Sequence, residues 1–168
     1  MDTKRNLTNY WLSYPSESLA RYIFLQILQA LKSLKLLNYV HKELRLDSII
    51  LTRSFAVNIG NFINTEKIRS ENNSVKFNYL TNKRYHVAPE YYRNKGLLRI
   101  YESFKYDLFS AGVILYFIFK VDFPTNQKTS YENRYEDYVN DLNYSVKKFN
   151  ELSVSQDLKN LIKGNIIN

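Results

Sequence analysis

Cysteine is missing from this chain, and histidine occurs only at His41 and His86. Without thiols there is no disulfide, no thiolate metal site and no cysteine nucleophile, and two imidazoles are too few for a convincing metal cluster. A metal ion would have to be held through oxygens. Long apolar runs are missing too. The stretch Gly112 to Phe119 falls far short of the ~20 apolar residues that span a bilayer, and Met1 to Tyr10 lacks the apolar segment of a secretory signal. No membrane span is expected, and the chain is placed in the cytoplasm.

What is present is the balance of an ordinary globular domain. The 168 residues are 45% hydrophobic and 24% charged, enough to bury a real core as one domain. The net charge of +8 raises the question of an acidic partner. However, the basic residues are scattered. Lys4-Arg5, Arg93/Lys95/Arg99, Lys147-Lys148 and Lys159/Lys163 are separate groups mixed with acids or asparagines, which is the pattern of a solvated surface. Tyrosine and phenylalanine are numerous, but most lie at helical spacing within apolar faces, where they pack rather than stack on bases. Nucleic acid is therefore not an expected partner.

Hydrophobic periodicity outlines the elements. Leu19, Tyr22, Ile23, Ile27, Ala30, Leu31 and Leu34 recur as on a helix from Glu17 to Leu37, with Ser16 as its N-cap. Ile49 to Leu51 and Phe55 to Ile59 are β-prone runs that suit a short hairpin. Asn61 to Arg84 is polar and asparagine-rich without a sustained period, long for a loop inside a domain and therefore expected to be functional or mobile rather than regular. Tyr106 to Phe119 is apolar on nearly every face, as a buried central helix is. Glu132 to Val139 and Gln156 to Ile162 read as two further amphipathic helices, the second ended by Gly164.

Four short motifs follow one another along this framework. Residues 40 to 51 read Val-His-Lys-Glu-Leu-Arg-Leu-Asp-Ser-Ile-Ile-Leu; then come Asn61-Phe62-Ile63, Ala88-Pro89-Glu90 and Asp107-Leu-Phe-Ser-Ala-Gly-Val-Ile-Leu-Tyr116. In this order and at these separations they resemble the C-terminal lobe of a eukaryotic-type protein kinase. The first stretch is similar to the catalytic loop H-R-D-L-K-P-E-N-I-L-L, the second to DFG, the third to APE and the last to D-x-W-S-x-G-V-x-L-x. The resemblance implies a mainly helical kinase-like C-lobe, a bundle around a buried central helix with a short hairpin. It takes in residues 1–168 as one partial domain, with 61–90 as an activation-segment-like loop. It leaves no residues for the N-terminal lobe, whose Gly-rich loop and V-A-I-K lysine are absent, and Leu7 to Leu12 is similar to the helix just past the family's hinge.

The resemblance also assigns roles, and here the working side chains differ. Glu43 and Arg45 occupy the catalytic places of an aspartate and a lysine. Ser48 and Asn61 stand where an asparagine and an aspartate hold magnesium, and Ile50 where an apolar side chain floors the adenine pocket. Positioning dominates phosphoryl transfer, and a carboxylate displaced by more than about 1 Å costs on the order of a hundredfold. An amide at Asn61 supplies one neutral oxygen and no charge, and Ile63 removes the freedom at φ > 0 of the family's glycine. Lys42 replaces an arginine that clamps a phosphorylated loop, although an ammonium cannot grip phosphate through two parallel bonds.

Framework positions are retained. His41 and Phe62 match members of the internal hydrophobic spine, and Asp107 matches a carboxylate that holds the catalytic-loop backbone. From the residues alone, His41 reads as a packed core histidine and Asp107 as an N-terminal helix cap. Glu90 matches the APE glutamate, but the arginine that usually pairs with it has no counterpart.

The expected function is a catalytically impaired, pseudokinase-like domain that binds other proteins, including an N-lobe or kinase partner. The alternative is a split or incomplete Ser/Thr-type kinase that transfers the ATP γ-phosphate to protein hydroxyls. ATP and magnesium are cofactors only under that alternative. A basic nucleic-acid module and a truncated product without an independent role are the remaining readings.

Overall fold

Ser16 sets where the first long helix begins. Its backbone is extended and its Oγ accepts the Leu19 N–H at 3.3 Å, so α1 (Glu17–Leu36) starts at the expected cap. The computed structural model describes residues 5–7, 16–69, 74–77, 86–119 and 135–166. Ala20, Ile23, Phe24, Ile27 and Leu31 form the buried stripe of α1, at the spacing of one helical face. That stripe packs on α3 (Ile100–Phe119).

α3 is buried from Tyr106 through Ile118 at nearly every turn. A helix apolar on all sides needs cover on all sides, and α4 (Tyr135–Asn150) and α5 (Gln156–Ile166) complete it. The Phe149 ring of α4 lies 5.3 Å from that of Tyr116 and 6.1 Å from that of Phe119. Glu17, in the first turn of α1, ties α5 to α1: it accepts the Ser155 hydroxyl at 2.5 Å and the Ser155 N–H at 3.0 Å. These bonds from Ser155 and the nearby Arg21 hold its carboxyl down at about 2.

The sheets are small and antiparallel. β3 (Ile49–Leu51) and β4 (Val57–Ile59) make the expected hairpin, with Ile49 opposite Ile59, and β1 (Arg5–Asn6) joins the free edge of β3. β2 (Tyr39–Val40) pairs with β5 (Glu66–Lys67), and β6 (Ser74–Lys76) with β7 (Leu97–Arg99). The hairpin turn carries Phe55 at φ 61, a left-handed conformation uncommon for a bulky side chain. Gln26 of α1 secures it, donating to the Phe55 carbonyl and accepting the Val57 N–H, both at 3.0 Å. Gln26→Leu removes both bonds and is expected to lower stability by about 1–3 kcal/mol, read from the urea midpoint.

Several element boundaries differ from the sequence expectation. The central helix begins at Ile100 rather than Tyr106, because Glu102 reaches back to accept the Arg99 N–H at 2.8 Å and Ser103 Oγ donates to the Arg99 carbonyl at 3.0 Å. α4 runs on to Asn150, while residues 132–134 lie outside the described ones. Gly164 does not end α5, which continues to Ile166; among the described glycines only Gly96 has the positive φ of a C-terminal cap. The segment 61–90 is not irregular throughout. It contains a 3₁₀ turn at Phe62–Asn64, then β5, β6 and the start of α2 (Pro89–Arg93). The two strands in it pair with partners distant in sequence, which periodicity within the segment cannot reveal. Leu7 follows β1 and is buried, and residues 8–12 lie outside the described ones. Among the described residues no helix is long and apolar enough to cross a membrane.

Candidate functional site

One buried carboxylate holds the loop that leaves β2. Asp107, inside α3, accepts the His41 N–H on Oδ2 at 2.7 Å and the Lys42 N–H on Oδ1 at 3.0 Å. The two amides are consecutive in the chain, and beyond them Lys42 turns left-handed at φ 68. Asp107 is thus not a helix cap; it lies well inside a helix that starts at Ile100. Burial pushes its carboxyl from 3.8 up to about 7, against the pull of the two N–H groups and the Lys42 charge.

His41 is fully buried and uses both ring nitrogens. Nδ1 accepts the Glu43 N–H at 3.3 Å, which puts the proton on Nε2, 3.0 Å from the Gly60 carbonyl that receives it. The imidazole is therefore neutral. Desolvation holds its pKa below 6.5, opposed by the Gly60 carbonyl and the Glu43 charge.

The altered catalytic places form a closed network. Glu43 Oε1 lies 3.2 Å from an Arg45 guanidinium nitrogen, and Oε2 accepts from the Asn64 amide at 2.6 Å. Arg45 grips Asp47 in a fork, Nε to Oδ1 at 3.0 Å and Nη2 to Oδ2 at 2.7 Å. Glu43 and Arg45 are only 14% and 15% exposed in their side chains. Ser48 is deeper still at 1%. Its Oγ accepts the Arg45 N–H and donates to the Arg45 carbonyl, each at 2.7 Å, closing the turn that leads into β3. Asp47 and Asn64 were missed in the sequence. Asp47 had a signal, an acid two residues from Arg45 in a tight turn, but Asn64 reaches Glu43 from 21 residues away.

Past β4 the chain passes through Gly60, whose N–H donates to the Ser48 carbonyl at 2.8 Å. A Cβ at Gly60 would stand 3.3 Å from Ile50 Cδ1 and 3.9 Å from the Ser48 carbonyl oxygen, a tight approach only to the end of a side chain. Asn61 then adopts φ 61, ψ 57 and starts the 3₁₀ turn without a side-chain cap bond. The positive φ falls at Asn61, a residue that tolerates it, and not at Ile63. Phe62 lies 5.2 Å from the His41 ring but is 49% exposed, and Ile63 is 88% exposed.

The structure thus joins His41, Glu43, Arg45 and Ser48 in one connected loop, with Ile50, Asn61 and Phe62 along its border. Glu90 stands apart in the first turn of α2, and among the described residues no ion pair reaches it. Glu102 instead holds that corner, accepting from Asn94 at 3.4 Å and lying 3.8 Å from Arg93. Among the described residues no group of three acidic or histidine side chains could hold a metal ion.

A helical body with small antiparallel sheets, its H-x-x-L loop fixed by an aspartate in the central helix, defines a protein kinase-type domain. The protein kinase domain model matches residues 3–167, so the chain belongs to that family. It is also similar to the Rho-associated protein kinase let-502 of Caenorhabditis briggsae, 26% identical over 161 residues. That match takes in 94% of this chain but only 13% of the worm protein.

Proposed function

We propose that residues 1–168 form the C-lobe of a kinase-like domain that no longer transfers phosphate and acts by binding other proteins. The observation that carries this reading is the engagement of Glu43: a general base needs a free oxygen for the substrate hydroxyl, and both of its oxygens are held, by Arg45 and Asn64. The remaining groups fit a magnesium-bound nucleotide poorly. Magnesium favours anionic oxygens in strict octahedral geometry, whereas Ser48 Oγ is committed to the Arg45 backbone and Asn61 offers a neutral amide. Arg45 directs its charge at two carboxylates of its own loop.

His41 and Asp107 act as framework in this reading, and Ile50 and Phe62 as packing groups. The exposed apolar side chains of Phe62 and Ile63 favour a protein partner, met in the cytoplasm. Phosphotransfer to a generic protein substrate, with magnesium or manganese, is expected to stay at background and to be unchanged in Glu43→Ala. ATP is expected to give no thermal shift. Turnover that Glu43→Ala abolishes overturns the reading.

A second reading is favoured by the small share of the worm kinase that the match covers: the chain contributes one lobe of a catalyst completed by other polypeptide. In that case turnover emerges only when a kinase N-lobe is supplied, and Glu43→Ala removes it.

A further inference from the structure

The N-terminal half of α3 keeps one face open. Tyr101 and Leu108, at i and i+7 on that face, are 55% and 40% exposed, and Lys105 between them is exposed as well. Phe104 shares the face and is partly buried against the core. Lys35 of α1 sits over the Phe104 ring at 5.5 Å, so the C-terminal half of α1 borders the same surface. Leu28, Lys32 and Lys35 recur there at helical spacing, the leucine partly buried and both lysines exposed. Together they make an apolar seam edged by cations, running about 10 Å along each helix.

The positive charge on the seam is not answered from within the two helices. Their acids are Glu17, Glu102 and Asp107, and each is engaged elsewhere: Glu17 by Ser155 at the far end of α1, Glu102 by the Arg99 N–H, and Asp107 by the His41 and Lys42 amides. Among the described residues no ion pair reaches Lys32, Lys35 or Lys105. Exposed apolar side chains flanked by unanswered cations suit a partner that brings carboxylates and apolar side chains together. An anionic membrane is the weaker match. Lipid sites of this kind use about four to eight cations, and the floor of the seam, Leu28 and Phe104, lies deeper than Tyr101 and Leu108, where a helix fits and a flat bilayer surface does not.

We propose that the seam between α1 and α3 docks an acidic amphipathic helix of a partner protein, with the partner's apolar stripe on Leu28, Phe104 and Leu108 and its carboxylates on Lys32, Lys35 and Lys105. The proposal gives the protein-binding role a surface and rests on that role. The two fail separately: turnover that Glu43→Ala abolishes overturns the loss of catalysis and leaves peptide binding at the seam untouched, whereas absence of peptide binding removes the seam alone.

Fluorescence anisotropy on the full chain tests it. The probe is a labelled helical peptide of about four turns, with leucine at i, i+3, i+4 and i+7 and glutamate on both flanks; its twin carries lysine for every glutamate. The glutamate peptide is expected to bind with a Kd of about 1–100 μM that rises with salt, and the lysine twin is expected not to bind. Lys35→Glu and Leu108→Ser should each weaken binding by roughly tenfold, and because they act through charge and through apolar contact, misfolding of one leaves the other as the test. Lys147→Glu on α4 makes the same charge change away from the seam and should leave the affinity within about twofold. Hydrogen exchange in the complex should slow in peptides covering 28–37 and 100–109. No binding, equal weakening by Lys147→Glu, or protection confined to other segments would each overturn the proposal. So would binding to phosphatidylserine vesicles without peptide binding, which assigns the seam to a membrane, or self-association that Leu108→Ser abolishes, which assigns it to a second copy.

Discussion

Asp107→Ala is expected to lower folding stability by about 3 kcal/mol, and Asp107→Asn by about 1–3 kcal/mol, in urea unfolding. The alanine variant strips the acceptor from both the His41 and the Lys42 N–H, and a buried donor without a partner costs most of its hydration. The asparagine variant keeps one acceptor but turns an amide N–H toward the other donor. Both variants are expected to loosen Lys42 as well, so hydrogen exchange at β5 and β6 should rise with the loss of Asp107. A loss under about 0.5 kcal/mol in the alanine variant would show that water replaces the carboxylate without penalty, contrary to its burial.

The same carboxylate gives stability a pH dependence whose sign can be worked out. Asp107 titrates at about 7 in the folded chain against 3.8 for a free aspartate. Between those values the folded state keeps a proton that the unfolded state has lost, so this group's contribution falls as pH rises from about 4 to 7. The penalty of Asp107→Asn should therefore narrow over that interval. His41 works in the opposite direction. Its folded pKa lies below 6.5, so below that pH the unfolded chain takes up a proton that the folded chain refuses, and stability falls toward acid. The two slopes oppose each other in the wild type, and His41→Phe should expose the Asp107 slope alone.

Much of the framework was legible because it is written in local periodicity. The stripe of α1 and its Ser16 cap, the all-round apolarity of α3 and the β-prone runs Ile49 to Leu51 and Phe55 to Ile59 are each local in the chain. Pairings across the chain were not legible. β1 on β3, β5 on β2 and β6 on β7 join strands of two or three residues, too short to show alternation. The start of α3 was hidden for another reason. Tyr101, Glu102 and Lys105 are polar or mixed, and it is the backbone bond of Glu102, not an apolar stripe, that sets the boundary.

At the site, motif order identified the residues that matter but not their partners. Along the chain, Glu43, Arg45 and Ser48 are three independent substitutions. In the folded protein they are coupled, Arg45 bridging Glu43 and Asp47 while its own backbone closes on Ser48. Asn64 completes the set from beyond β4 and could be placed only once the turn at Asn61 was known. Lys42 is similar: its sequence position suggests an anion site, but only the fold shows that the anion is Glu66.

Gly96→Ala is expected to cost about 2–4 kcal/mol, whereas Gly164→Ala should be neutral or stabilising by up to about 1 kcal/mol. Gly96 has φ +77, and a Cβ there would stand 2.8 Å from the Phe77 carbonyl oxygen and 3.0 Å from the Tyr91 ring. The carbonyl is backbone and cannot step aside without disturbing the 2.7 Å bond from the Phe77 N–H to the Gly96 carbonyl. That bond extends the β6-β7 ladder and fixes the Phe77 ring beneath the Lys42 ammonium, so the damage should reach the Lys42 contacts as well as global stability. Gly164 lies inside α5 with nothing within 4 Å of its would-be Cβ and no positive φ, leaving only the gain in helix propensity. Opposite signs for one substitution at two glycines separate backbone constraint from composition; similar losses at both would mean that α5 ends before Gly164 in solution.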